Sequence, residues 1–241
     1  MEIQEQEKNK QEQEKIISKL QKKNSLSEII DFIKDLVVII IVVLIIRSFI
    51  VLPFQISGHS MDESYYDKQF IIVDRFSYIT GLTNPKRGDV IVFNTHITNK
   101  EYFIKRIIGL PGETIKIENG IVSVKNKDTQ EFTNLDEKYL SDLNYNSTYI
   151  NGDDSLYIYN IPEGEYFVMG DNRGASSDSR TCFSSCNYGN KTNYILEKDI
   201  VGKVFIDLGY FNFKTFSFYN PILEKNTIPT LFSSPSSYKY E

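Results

Sequence analysis

The sequence is short of basic patches, histidines and cysteines, and each shortage excludes a class of function. Its 241 residues hold 27 Lys and Arg against 32 Asp and Glu, a net charge of −5. The basic residues form no cluster outside the polar N-terminus, so we expect no nucleic-acid partner, because phosphates are bound by clustered Lys and Arg. Two histidines and two cysteines are too few and too scattered for a zinc site, so we expect no metal and no cofactor.

The two cysteines, Cys182 and Cys186, are separated by three residues. A disulfide across this short loop fits an oxidising compartment outside the cytoplasm. Two free thiols in a surface loop fit the same spacing. The sequence leaves both interpretations open.

A helix start and a helix stop bracket the N-terminal part of the chain. Residues 1–25 are rich in Glu, Gln and Lys and indicate a solvated tail. Ser25-Leu-Ser-Glu28 has the pattern of a capping box, which predicts that a helix begins near Leu26. Pro53 ends the helix, because proline removes a backbone donor. We therefore predict one helix over residues 26–54.

This helix contains the one long apolar run of the sequence. Residues 36–46 are apolar without a break, and residues 49–54 continue the run after Arg47 and Ser48. About 20 residues at ~1.5 Å per residue cross a bilayer. Residues 36–54 therefore suffice for a single transmembrane anchor, provided that the Arg47 side chain extends to an interface.

Two other interpretations of the run have less support. A cleaved signal peptide expects small residues such as Ala-x-Ala after its core, whereas the only alanine in the chain is Ala175. A buried core helix expects a polar face, which the run lacks. Seven lysines precede Leu36, and this bias predicts a cytoplasmic N-terminus. We expect a single-pass protein of the cell membrane, in contact with the lipid bilayer, whose residues after about 55 lie outside the cytoplasm.

Beyond the run, the sequence changes to short alternating stretches separated by Gly, Pro, Asn and Asp, which predict strands. Glu118-Asn-Gly120 predicts a hairpin turn, and no long helical period follows residue 56. The predicted fold is therefore a mainly β domain after a single transmembrane helix. The predicted strands are 70–73, 90–93, 102–108, 114–117, 121–124, 157–159, 166–169, 200–208 and 211–218.

The polar stretch over residues 126–156 divides the β domain. Its weak patterning predicts a small insertion between a first part, residues 55–125, and a second part, residues 157–210. Residues 211–241 form a C-terminal strand and tail. The aromatic residues of the last strand are expected to pack on the core, with a membrane-touching face as the alternative.

Three short motifs carry residues with catalytic potential. Ser60 lies in Ser57-Gly-His-Ser-Met61, a turn that can expose its hydroxyl and its backbone N–H. Lys105 stands among apolar residues in Tyr102-Phe-Ile-Lys-Arg-Ile-Ile108. If Lys105 is buried, its pKa falls and its neutral amine can accept a proton from a serine. A strand lysine that faces solvent is the alternative.

The third motif is Gly170-Asp-Asn-Arg-Gly-Ala-Ser-Ser-Asp-Ser-Arg180. It is too polar and too rich in turn formers for a core strand. Its carboxylates, guanidinium groups and hydroxyls can fix one another and a neighbouring amine. Taken alone, it also fits an ordinary polar loop.

The order and the residues of these motifs resemble those of the bacterial type I signal peptidases. That family has an anchor, a Ser-Met motif, an Arg-Gly-Asp-Val strand, a Lys-Arg-x-x-Gly-x-Pro-Gly motif and a Gly-Asp-Asn-Arg-x-x-Ser-x-Asp-Ser-Arg loop. They stand here as Ser60-Met61, Arg87-Gly-Asp-Val90, Lys105–Gly112 and Gly170–Arg180. The resemblance covers about residues 29–208.

The resemblance implies a serine endopeptidase that forms an acyl-enzyme and cleaves signal peptides from exported proteins. Ser60 would be the nucleophile and Lys105 the general base, with Ser176 orienting the Lys105 amine. The backbone of Ser60, together with Gly58 where many members have serine, would form the oxyanion hole. Asp178 and Arg180 would form a supporting ion pair, joined by Arg106.

The substrate pockets and the turn after the nucleophile are further implications of the resemblance. By analogy, the pockets would be lined by Phe54, Ile56, Met61, Tyr65 and Ile104. The family often has x-Pro-Thr-Leu after Ser-Met, whereas this chain has Asp62-Glu-Ser-Tyr65, so the resemblance implies a bulky Tyr65 ring near the subsites where leucine is usual. His59 could act as the base only if it turned towards Ser60, and neighbouring side chains on an extended turn point apart.

Two other functions compete with this interpretation. A self-cleaving repressor would share a Ser–Lys dyad and a β fold, but it is opposed by the anchor and by the lack of a helix-turn-helix. A membrane-anchored peptide-binding β module that has lost catalysis is opposed by the retained Ser60 and Lys105.

Overall fold

The computed structural model describes residues 28–44, 51–94, 102–150, 152, 155–184, 192–219 and 230–231. The chain divides into two units, Met1–Ser48 and Phe49–Glu241. The second unit holds all the predicted site residues.

In the first unit, residues 28–44 form helix α1, and their side chains are exposed. The predicted capping residue Ser25 and the interrupting Arg47 lie outside the described residues. Within the part of the chain that the structure describes, no helix combines the length and the apolar character needed to cross a membrane.

The prediction that the helix continues to Pro53 is wrong. Val51–Gln55 instead form strand β1, whose only partner in the described structure is β2, Phe70–Asp74. Proline is compatible with an edge strand because its missing N–H then breaks no ladder hydrogen bond. Pro53 lies opposite Ile72 in this edge position. The apolar run therefore ends as a strand of the β domain.

Besides β1 and β2, the β domain contains α2 Phe76–Ile79, β3 Val90–Asn94, β4 Tyr102–Gly109, β5 Thr114–Glu118, β6 Ile121–Lys125, β7 Thr133–Asn134, β8 Tyr157–Asn160, β9 Glu165–Met169, β10 Ile195–Leu196, β11 Ile200–Asn212, β12 Ser217–Tyr219 and β13 Thr230–Leu231. Within the described residues, these strands form two antiparallel sheets. The larger has nine strands in the order β1-β2-β11-β3-β4-β9-β10, with β12 and β13 also paired to β11, and the smaller has the order β7-β6-β5-β8.

The mainly β prediction is confirmed, and so are most predicted strands. The turn between β5 and β6 is the predicted hairpin, in which Asn119 and Gly120 have φ of 52° and 77°. Two successive positive φ values match the twist of a two-residue hairpin. The last predicted strand is wrong in one respect, because residues 211–218 form a hairpin whose turn exposes Phe213 and Phe216.

The predicted insertion is joined to the core at several points. Strand β7 extends the smaller sheet. Leu135 and Ile150 are buried in the same apolar cluster as Ile115 and Phe167. The polar stretch therefore covers one end of the core, which its weak patterning did not predict.

Candidate active site

Ser60 lies in the turn that follows β1. Its neighbour Met61 is buried, and the backbone N–H of the buried Tyr65 donates to the Met61 carbonyl at 2.7 Å. Both side chains belong to an apolar cluster that also contains Ile56. The core thus holds the residues on either side of the turn, while Ser60 itself remains half-buried.

The two predicted backbone donors at this turn differ in availability. The Gly58 N–H donates to Asp67 Oδ1 at 2.8 Å, so the expectation that Gly58 helps to bind an oxyanion is not supported by its geometry. Gly58 has φ of +102°, a conformation that glycine adopts more readily than other residues. The Ser60 N–H donates to no other group within the described residues.

Lys105 lies in β4, opposite Ile91 of β3. Its side chain is buried, and Nζ donates to Ser60 Oγ at 2.7 Å and to the Ile104 carbonyl at 2.9 Å. Burial lowers the pKa of Lys105 to about 8, although the negative charges of Asp178 and Asp171 act in the opposite direction. A strand lysine that faces solvent is therefore excluded.

The Asp178–Arg180 ion pair expected from the sequence is present. Arg180 donates from Nε to Asp178 Oδ1 and from Nη2 to Asp178 Oδ2, both at 2.9 Å. The Gly170 N–H also donates to Asp178 Oδ2 at 3.0 Å. Although burial raises the pKa of Asp178, the charge of Arg180 and these hydrogen bonds outweigh it, so the pKa lies below the usual range.

The loop that carries this pair contacts the Ser60 turn directly. The Asn172 N–H donates to the Ser60 carbonyl at 3.1 Å, and Asn172 Nδ2 donates to the His59 carbonyl at 2.9 Å. A Cβ atom on Gly170 would lie 2.3 Å from both Ser176 Oγ and the Ser60 carbonyl oxygen. Only glycine therefore allows this close approach. The Ser176 hydroxyl therefore lies next to Gly170 and close to the Ser60 turn, but it makes no hydrogen bond to Lys105 Nζ.

Arg106 does not join the Asp178–Arg180 pair, contrary to the expectation from the sequence. Its guanidinium donates to both carboxylate oxygens of Asp171, at 2.9 and 2.6 Å, and to the Gly88 carbonyl at 2.8 Å. The Tyr139 ring lies 4.1 Å from the guanidinium carbon. Successive side chains of a strand point to opposite faces, so Lys105 and Arg106 contact different partners.

A third buried pair was not predicted from the sequence. Arg173 donates to both carboxylate oxygens of Glu137, at 2.8 and 2.5 Å, and also to the Thr148 hydroxyl. The Arg173 backbone N–H donates to Asn144 Oδ1 at 2.7 Å. The predicted insertion thus supports the third motif. Glu137 and Arg173 lie 36 residues apart, and no local sequence pattern links them.

A cavity of about 450 Å³ opens beside the Ser60–Lys105 pair. The expected residues Phe54, Ile56 and Ile104 line it, whereas Met61 and Tyr65 are buried in the core and do not. Tyr65, which the resemblance placed near the substrate pockets, therefore lies in the core and not at this cavity. The full lining is Phe54, Gln55, Ile56, Ser57, Ser60, Ile71, Val92, Tyr102, Phe103, Ile104 and Lys105.

The histidines and cysteines contribute little to this geometry. The His59 side chain is exposed and its Nδ1 lies 3.1 Å from Asp62 Oδ2, while His96 lies outside the described residues. Cys182 is disulfide-bonded, and the only other cysteine in the sequence, Cys186, also lies outside them. Among the described residues, no group of three or more His, Cys, Asp or Glu side chains could hold a metal ion.

Comparison with known proteins found one matching family model and many similar sequences. The family described as "Signal peptidase, peptidase S26" matches residues 29–208. A signal peptidase I P of Bacillus subtilis subsp. natto is 35% identical over 181 residues, 75% of this chain and 89% of that protein. A signal peptidase IB of Staphylococcus aureus is 32% identical over 213 residues, 83% and 98% of the two chains. A crystal structure of a signal peptidase I from Enterococcus faecalis is 26% identical, covers 50% of this chain and 97% of its own, and has a TM-score of 0.37.

Proposed function

Because the chain belongs to the signal peptidase S26 family, we propose that it cleaves N-terminal signal peptides from exported proteins through a Ser60–Lys105 dyad. The observation that carries this proposal is the 2.7 Å hydrogen bond between Lys105 Nζ and Ser60 Oγ, made by a lysine that is 3% exposed. Amine and hydroxyl lie at the distance that proton transfer requires. The position of the lysine in an apolar strand favours its neutral form.

The reaction follows from this geometry. The neutral Lys105 amine takes the proton of Ser60 Oγ as the oxygen attacks the scissile carbonyl carbon. The Ser60 N–H stabilises the negative charge that develops on the carbonyl oxygen. When the peptide C–N bond breaks, the Lys105 ammonium protonates the departing amine and an acyl-enzyme remains. Lys105 then takes a proton from a water molecule as that water attacks the ester carbonyl carbon. When the ester C–O bond breaks, the Lys105 ammonium returns this proton to Ser60 Oγ, which regenerates the neutral amine and the free serine.

An extended peptide fits between β1 and β4. Strand β1 is an edge strand. Strand β4 pairs with β3 along residues 102–106, but it pairs with β9 only from Arg106 onward, so its first residues have β3 as their strand partner. Within the described residues, each of these two segments has a strand partner on one side only, so its other side can hydrogen-bond to an added strand. The apolar walls favour small apolar substrate side chains before the cleaved bond. We expect Phe54 and Ile104, which line the cavity, to contact these side chains.

A peptide-binding module without catalysis remains the second candidate. It is motivated by Asp62-Glu63, which stand where the family often has x-Pro. The detergent-solubilised full chain should cleave an exported precursor at one site, with a new N-terminus visible by mass spectrometry. Binding of the precursor without a new N-terminus would favour the module. A self-cleaving repressor would instead cut its own chain.

The buried lysine gives the reaction a defined pH dependence. The pKa of Lys105 is about 8. Only the neutral amine, which predominates above that pH, can act as a base. We therefore expect kcat/KM for a signal-peptide substrate to rise about tenfold per pH unit below pH 8 and to level off above it. A stopped assay between pH 5 and 10 would measure this. A midpoint near 10.4, the value of a solvated lysine, would contradict the role of Lys105.

We also propose that the chain is anchored once in the cell membrane with its N-terminus inside. The lysine bias before Leu36 and the apolar run over residues 36–46 support this orientation. Protease added to spheroplasts should digest the β domain and leave an N-terminal tag intact. A cytoplasmic protein expressed in the same cells controls for lysis. Digestion of the tag with survival of the β domain would reverse the proposed orientation.

A further inference from the structure

A cluster of three phenylalanine rings lies behind one wall of the cavity. Phe103 lines the cavity beside Lys105, and its ring centroid lies 5.5 Å from Lys105 Nζ. Phe103 also contacts two rings that are absent from the lining. Phe93 meets it edge-on at 6.3 Å, and Phe183 stacks on it at 6.2 Å with an interplanar angle of 14°.

Phe183 comes from the loop that continues the third motif, three residues after Arg180 and far from the two strands in sequence. It also contacts Phe93 edge-on at 5.7 Å. Phe93 lies opposite Phe103 in the pairing of β3 with β4. Stacked and edge-on pairs at these distances are attractive and fix the relative tilt of the rings. The tilt of Phe103 is therefore set by one ring on its own sheet and by one ring from the loop.

The loop holds Phe183 in an unusual backbone conformation. Cys182, Phe183 and Ser184 have φ of 47°, 52° and 57°, whereas residues with side chains rarely adopt positive φ. The Phe183 N–H donates to the Asp178 carbonyl at 2.9 Å. The Asp178 carboxylate in turn is fixed by Arg180. Backbone conformations of this kind persist only when the surrounding structure enforces them, and they cluster at functional sites.

We propose that Phe183 is a specificity-determining residue, which fixes the tilt of Phe103 and so sets the size of the substrate side chain that the cavity accepts. This proposal rests on the proposed peptidase function, whose cavity it concerns. Phe183 does not touch the substrate. It acts through Phe103, because a ring stacked behind a cavity wall limits how far that wall can move back.

Replacing Phe183 by alanine should therefore enlarge the cavity without moving Ser60 or Lys105. Removing a ring leaves space that neighbouring side chains partly fill, and Phe103 is the ring best placed to tilt into it. Two peptides that differ by Ala or Leu at the residue before the cut report the change. Hydrophobic pockets discriminate about 10-fold or more for each methylene. We expect Phe183→Ala to reduce the preference for Ala over Leu, measured as the ratio of kcat/KM, about tenfold.

Two further variants test whether the ring itself is responsible. Phe183→Tyr keeps a stacking ring and should keep the wild-type preference. Phe132→Ala is the matched control, because Phe132 is also half-buried, contacts Lys116 and Lys125 in the smaller sheet, and does not line the cavity. It should leave the preference unchanged even if it lowers the melting temperature equally.

The same comparison can be made without catalysis. In a Ser60→Ala background, the affinities for the Ala and Leu peptides should converge when Phe183→Ala is added, as measured by fluorescence anisotropy. The affinity measurement separates the two proposals. If Phe183→Ala changes the relative affinity but the wild type cleaves neither peptide, the peptidase function is rejected and the role of Phe183 is retained. If Phe183→Ala does not fold, Phe183→Leu serves instead and should move both ratios in the same direction. A folded Phe183→Ala or Phe183→Leu variant with wild-type ratios overturns the role of Phe183.

Discussion

Lys105→Arg and Ser60→Ala should each reduce cleavage of a signal-peptide substrate by at least about 10⁴-fold, the scale on which such residues act. Arginine is also a long basic side chain, but its guanidinium stays protonated at any usable pH. It therefore cannot accept the Ser60 proton. Lys105 is buried beside Ser60 Oγ, so the loss falls on kcat rather than on substrate binding.

Combining the two substitutions gives the sharper result. When two residues act as one catalytic unit, removing either already abolishes the function of both. The double variant Ser60→Ala/Lys105→Arg should therefore have a kcat only slightly below that of either single variant. Independent contributions would multiply instead. Kinetics under single-turnover conditions, with folding checked by circular dichroism, measure both quantities.

Lys203→Arg is the matched control for the lysine substitution. Lys203, on β11, forms an ion pair with Asp89, with 2.7 Å between Nζ and Oδ1, and it does not line the cavity. It should retain nearly full activity. Substantial cleavage by Lys105→Arg would exclude the dyad and would return His59 to consideration, even though its ring pairs with Asp62 in this structure.

The residues predicted best were those whose partners are implied by short motifs. Ser60 and Lys105 were identified because each stands in a short motif with a distinctive sequence. In the structure, Lys105 Nζ lies 2.7 Å from Ser60 Oγ. Gly58 was assigned as an oxyanion donor because of its position before Ser60. Its N–H is instead used by Asp67, nine residues later in the chain, and no local pattern reports such a partner.

The errors in the fold have a similar cause. Val51–Phe54 continue the apolar run of the preceding residues, and hydrophobicity alone cannot distinguish a helix from a strand in so short a segment. The pairing with β2, which decides the matter, involves residues about 20 positions away. The Arg173–Glu137 pair spans 36 residues, so the polar stretch over 126–156 was taken for an insertion although it supplies part of the support for the site.

Asp178→Asn should destabilise the protein by about 3–5 kcal/mol, the cost of breaking a buried ion pair by removing one partner. Asparagine keeps the shape of the side chain but leaves the Arg180 guanidinium, which is almost fully buried, without its counter-charge. Urea unfolding at pH 7 measures the loss. Glu163→Gln is the control, because the Lys127–Glu163 pair is exposed and exposed pairs contribute about 0–1 kcal/mol.

The pH dependence identifies the carboxylate as the source of this stability. The folded-state pKa of Asp178 is lowered by Arg180, so its contribution is present above the ordinary pKa of about 3.9 and is lost as the pH falls through the lowered value. The difference between wild type and Asp178→Asn should thus be largest near pH 7 and shrink in acid. A difference that stays constant from pH 7 to pH 2 would assign the loss to packing.

The same substitution should also alter the catalytic pH profile. The charge of Asp178 raises the pKa of Lys105, whereas burial and Arg180 lower it. With Asp178→Asn the midpoint of kcat/KM against pH should therefore move below about 8, and adding Arg180→Met should move it back. The double variant should also recover part of the lost stability, because the unpaired guanidinium is gone. An unchanged midpoint in both variants would mean that the Asp178–Arg180 pair supports the fold of the loop but not the basicity of the lysine.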